Sequence, residues 1–100
     1  MEPPNPNPDL PIRIDTARSL AHVGDRQVKL TRTELRLLAC LLSEPGRTFS
    51  RQELMDAAIA GGAIVGSRTI DQHIYTLRRK IGSELIESVR GAGYRFGLHQ

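Results

Sequence analysis

Between Ser67 and Gly82 the chain reads SRTIDQHIYTLRRKIG, and four branched apolar residues recur there with the period of an α-helix. At about 100° per residue, Ile70, Ile74, Leu77 and Ile81 fall within a stripe roughly 60° wide. Such a stripe has to be covered by other elements, so the segment predicts a helix seated on a core, capped by Ser67 and stopped at Gly82. The opposite face carries Arg68, Gln72, Tyr75 and Arg79. Thr76 lies on one shoulder, Thr69, Lys80 and His73 further round, and Asp71 and Arg78 on the other flank. A basic amphipathic face is most often merely solvated. This one also mixes side chains that pair with base edges (Gln, Thr, Arg) with cations that neutralise phosphates. A membrane-surface helix would need a broad exposed apolar face with Trp or Phe, whereas the apolar stripe here is narrow and needed by the core.

The elements that could cover the stripe precede it. Thr31-x-x-Glu34 and Ser50-x-x-Glu53 are capping-box patterns, each opening a helix. The first helix places Leu35, Leu38 and Leu42 on one face, widened by Leu37 and Leu41, and ends at Pro45-Gly46; the second runs to about Ile59. Thr48-Phe49 reads as a short extended link, and Gly61, Gly62 and Gly66 mark a loop. Upstream, Ile12 and Ile14 alternate with Arg13 and Asp15, and Leu20–Val23 is separated from Gln27–Leu30 by the turn Gly24-Asp25. Strands this short predict a small antiparallel sheet. Downstream, Leu85–Val89 and Tyr94–Leu98 read as a hairpin with Arg90-Gly91-Ala92-Gly93 at its tip.

Five of the six prolines fall in the first eleven residues, which predicts a linker or disordered arm over 1–11 and one folded domain over 12–100. A chain of 100 residues with 39% hydrophobic and 25% charged residues suits one small globular domain. Cys40 is the single cysteine, so no internal disulfide can form. No apolar run approaches the ~18 residues of a membrane span, and the N-terminus lacks the basic and apolar regions of a signal peptide, so the cytoplasm is expected. His22, His73 and His99 lack ligand spacing, no nucleophile–base or carboxylate pair stands out, and Glu34 and Glu53 serve as caps. Neither a cofactor, a metal nor a catalytic role is expected.

The second helix, the glycine loop and the third helix form a unit that can place its last helix in a major groove. The hairpin beside it carries Arg90 at its tip and Arg95 on its return strand, which suits a neighbouring minor groove. From Ser67 to Arg95 there are six Arg or Lys against three Asp or Glu, so the excess there equals the whole chain's +3.

In order, the chain shows Leu-Thr-x-x-Glu, Pro-Gly-Arg, Ser-Arg-x-x-Leu, Arg-Thr-x-Asp-x-His-Ile-x-x-Leu-Arg-x-Lys and Val-Arg-Gly-x-Gly-Tyr-Arg. These motifs, over roughly residues 12 to 98, resemble the effector domain of OmpR/PhoB-type response regulators. The resemblance implies an α+β winged helix-turn-helix: an N-terminal antiparallel sheet, a three-helix core and a C-terminal β-hairpin wing. It implies sequence-specific binding to double-stranded promoter DNA as a tandem dimer, and a receiver domain N-terminal to this segment, with the proline arm in the linker's place. By position, Arg68 and His73 match residues that hold phosphates, and Thr69, Asp71, Gln72 and Thr76 match residues facing bases. Tyr75 and Arg78 match phosphate-facing positions, and Ser88, Arg90 and Tyr94 match wing positions at the backbone or minor groove. Ser50 and Arg51 open the second helix, whose N-terminal N–H groups can hold a phosphate, and Arg79 adds a cation to the outward face.

The chain departs from the family at three places. Ile59 stands where relatives often carry Trp, and Tyr75 and Thr76 stand where several carry arginine, which predicts a shallower salt dependence. The loop Ala60–Gly66 is apolar; in the family it can touch RNA polymerase, and here Ile64 and Val65 can equally fold back on the core. The rival function is a winged-helix protein-interaction module without DNA sequence preference.

Overall fold

The computed structural model describes residues 12–62 and 69–97. The proline arm, Ser67, Arg68, most of the loop Ala60–Gly66 and Leu98 lie outside the described residues. The chain begins with a three-stranded antiparallel sheet of β1 (Ile12–Asp15), β2 (Leu20–Val23) and β3 (Arg26–Lys29), in that order. Val23 pairs with Arg26 across the two-residue turn Gly24-Asp25. Gly24 sits at φ 59°, the left-handed conformation that such a turn demands. Ile12 and Ala21 are buried on the sheet's inner face.

Three helices follow: α1 (Arg32–Ser43), α2 (Arg51–Ala60) and α3 (Ile70–Ile81). All three open on a capping box. In α1, Thr31 Oγ1 accepts the Glu34 N–H and Glu34 Oε1 accepts the Thr31 N–H; Ser50 and Glu53 repeat the arrangement in α2. The cap of α3 is Thr69 paired with Gln72, not Ser67. Thr69-x-x-Gln72 is the same reciprocal pattern with an amide in place of a carboxylate, and it satisfies two free N–H groups where a lone serine would satisfy one.

Helix α1 is the centre of the molecule, packing on α2, on α3 and on the last strand. Leu35, Leu37, Leu38, Leu41 and Leu42 are all buried, and Ile70, Ile74, Leu77 and Ile81 meet the same core, as the periodicity predicts. After α3 a 3-10 turn (Ser83–Leu85) precedes the hairpin of β4 (Ile86–Val89) and β5 (Gly93–Phe96), so Leu85 sits in that turn rather than in a strand.

The link at Thr48-Phe49 does more than connect. Phe49 and Tyr94 exchange backbone hydrogen bonds of 2.8 and 3.0 Å, and the Gly46 N–H reaches the Phe96 carbonyl at 3.1 Å. The hairpin is thereby stitched to the segment between α1 and α2. The closeness depends on Gly93, at φ 145°: a Cβ there would lie 1.9 Å from the Phe49 carbonyl oxygen.

Candidate nucleic-acid interface

With its apolar stripe turned to the core, α3 leaves Asp71, Gln72, Tyr75 and Arg79 exposed. Arg78, Arg79 and Lys80 form its last turn, where positive charge complements the helix dipole. Asp71, in the first turn, complements the opposite end.

Asp71 is the junction of three elements. Its Oδ1 accepts the Arg51 Nε–H at 2.8 Å from the start of α2 and the Tyr94 hydroxyl at 2.5 Å from β5. The Arg51 guanidinium also lies over the Tyr94 ring, 5.5 Å from its centroid. The Tyr94 hydroxyl, followed by the Arg51 guanidinium, holds the Asp71 carboxyl below its ordinary range. Burial and then the Asp71 carboxylate push the Tyr94 phenol up. Thus Asp71, Arg51 and Tyr94, far apart in the chain, form one cluster.

A second polar cluster lies beneath α3. Glu34 is only 2% exposed, and its Oε1 accepts from Lys80 Nζ at 2.7 Å. The Thr76 hydroxyl lies 2.8 Å from Glu34 Oε2 and 3.0 Å from the His73 carbonyl oxygen. Burial pushes the Glu34 carboxyl up, but the hydrogen bonds from Lys80, Thr31 and Thr76, with the Lys80 charge, bring it below its ordinary value. Thr76 and Lys80 therefore turn toward α1 rather than outward. His73 is buried as well, on the core side of α3.

Of the remaining sequence candidates, Thr69 and Gln72 are engaged with each other in the cap, and a bidentate grip on adenine requires Gln72 to swing out of it. Arg78 Nη1 lies 3.3 Å from Ser88 Oγ, joining α3 to β4. Arg79 Nη1 donates to the Tyr75 hydroxyl at 3.3 Å. Arg90 is exposed at the hairpin tip, while Arg95 is paired across the strands with Glu87 at 2.7 Å. Ser50 caps α2, and the Glu53 carboxylate beside it is paired with Arg47 at 2.7 Å. Arg68 lies outside the described residues. Sequence reasoning missed the wider role of Glu34: its capping signature is local, whereas Thr76 and Lys80 lie 42 and 46 residues away.

Residues 25–96 match the family model described as "Transcriptional regulatory protein, C terminal". The phosphate regulon transcriptional regulatory protein PhoB of Rhizobium meliloti is 40% identical over 87 residues, covering 83% of this chain and 38% of that protein. The transcriptional regulatory protein BaeR of Escherichia coli O6:H1 is 41% identical over 91 residues, 86% of this chain and 38% of that protein. The chain thus spans well under half the length of these relatives. Among solved structures, the DNA-binding domain of the response regulator AdeR in complex with an intercistronic region superposes with a TM-score of 0.71 at 28% identity, covering 87% of this chain and 94% of that one. The C-terminal domain of the nisin resistance regulator NsrR does so with a TM-score of 0.76 at 27% identity, covering 90% and 95%.

Proposed function

The chain belongs to the OmpR/PhoB-type family of transcriptional regulatory DNA-binding domains, and we propose that it binds promoter DNA sequence-specifically, with α3 in the major groove and the β4–β5 wing at the adjacent minor groove. The observation that carries this reading is the outer face of α3 joined to the wing: Gln72, Tyr75 and Arg79 stand exposed, and Asp71–Tyr94 and Arg78–Ser88 tie the hairpin to the same helix. In this arrangement Gln72 and Arg79 face bases, while Arg51, Arg78, Ser88 and Arg90 meet the backbone or the minor groove. Ser50 presents the start of α2 to a phosphate, and Arg68 holds another. Thr69, Asp71, His73, Thr76 and Tyr94 act by positioning: they cap α3, seat it on the core and hold the wing.

The wider setting follows the family. A receiver domain precedes this segment, two copies bind in tandem, the loop Ala60–Gly66 touches RNA polymerase, and the protein works in the cytoplasm without enzymatic activity. No described helix is long and apolar enough to cross a membrane.

The test is selection of duplexes from a random pool, followed by titration at several salt concentrations. A consensus should emerge, and affinity should fall as salt rises, less steeply than for relatives with more arginines on this helix. On the selected site Gln72→Ala should cost about 1–3 kcal/mol at one base-pair position. Arg90→Ala should weaken binding alike on all duplexes and flatten the salt slope. No binding at low salt refutes the proposal; binding without any selected consensus favours a module with no sequence preference.

A further inference from the structure

We propose that Tyr75 reads a thymine in the bound duplex through the thymine 5-methyl group, an inference that rests on the DNA-binding role above. Tyr75 is 60% exposed. The other large apolar side chain this exposed among the described residues is Ile59, on α2 rather than α3. The Tyr75 ring stands at the middle of the outer face of α3, between two shallow grooves. One is lined with it by Asp71, Gln72 and Thr76, and the other by Arg78 and Arg79 among others.

The polar side chains around the first groove are already engaged within the protein. Gln72 Oε1 accepts the Thr69 N–H, the Thr76 hydroxyl faces Glu34, and Asp71 holds Arg51 and Tyr94. The Tyr75 hydroxyl in turn accepts from Arg79, whose guanidinium carbon lies 5.9 Å from the ring centroid. That contact occupies the phenol oxygen, while much of the Tyr75 side chain stays exposed to solvent. An aromatic surface held in water gains free energy when it covers apolar surface. The major-groove edges of the four base pairs offer one apolar group, the 5-methyl of thymine.

The experiment replaces each thymine of the selected duplex, one at a time, by deoxyuridine, which removes only the methyl group. Binding of the chain and of its Tyr75→Ser and Tyr75→Phe variants is then titrated at low salt. For the unaltered chain, one or two positions should lose about fourfold in affinity, the worth of one buried methyl. Tyr75→Ser should bind the thymine and deoxyuridine duplexes alike at those positions, and Tyr75→Phe should keep the difference. The proposal is overturned if no position of the unaltered chain responds, or if Tyr75→Ser retains the response. It is overturned equally if Tyr75→Phe weakens binding to every duplex and erases the difference, which would assign the hydroxyl to the backbone. Absence of any duplex binding at low salt refutes the DNA-binding role itself, so the two failures are distinct.

Discussion

Glu34 is almost out of solvent, yet its two carboxylate oxygens serve partners on two elements: the Thr31 N–H at the start of α1, and Thr76 and Lys80 on α3. A buried carboxylate is tolerated only when its lone pairs are filled, and here they are. Its Lys80 partner is 36% exposed, which screens the pair and limits its worth. Glu34→Gln keeps the shape but removes the charge, and should lower stability by about 1–2 kcal/mol at neutral pH, read from urea unfolding. The pH dependence has a definite sign. The folded carboxyl sits below its ordinary value of 4.5, so its contribution is complete above that value and is lost as pH falls through the folded one. The gap between the unaltered chain and Glu34→Gln should therefore close on acidification below about pH 4.5. At this scale the sequence was half legible. Thr31-x-x-Glu34 announces a cap, but a cap shows only one side of the carboxylate.

The wing is an element held by backbone as much as by side chains. Its return strand exchanges hydrogen bonds with Phe49, and Gly93 makes that approach possible. Gly93→Ala drives a methyl into the Phe49 carbonyl oxygen and forces an L-residue to φ 145°. It should cost about 3 kcal/mol or more, seen as a lowered unfolding midpoint. Amide exchange should rise along β4 and β5 before it rises in α1. The hairpin was readable from Arg90-Gly91-Ala92-Gly93 between two apolar runs, and its tip falls there. Its pairing with Thr48-Phe49 was not, because a two-residue extended link carries no periodicity. The start of α3 was readable too, since Thr69-x-x-Gln72 repeats the logic of the other two caps; the earlier serine obscured it.

Across the whole molecule, Asp71 joins α2, α3 and the wing. Its pair with Arg51 is about half exposed on both sides and contributes little alone. The Tyr94 hydroxyl adds a short charge-assisted bond from a buried ring, which makes it the stronger of the two ties. Tyr94→Phe keeps the packing and removes that tie. It should cost about 1 kcal/mol of stability, speed amide exchange in the wing, and weaken binding to the selected duplex while leaving the helical circular dichroism unchanged. An unaltered exchange rate in the wing would show that backbone pairing with Phe49 alone holds it. The sequence by itself determined the order of strands and helices, the core stripe of α3 and the caps of α1 and α2, because periodicity and capping act within one or two turns of chain. It also carried the family motifs. Only the tertiary structure decided which polar residues of α3 face outward. Thr76 and Lys80 turn toward α1 because the carboxylate of Glu34, buried there and more than forty positions away, needs partners, while His73 is buried on the core side of the same helix.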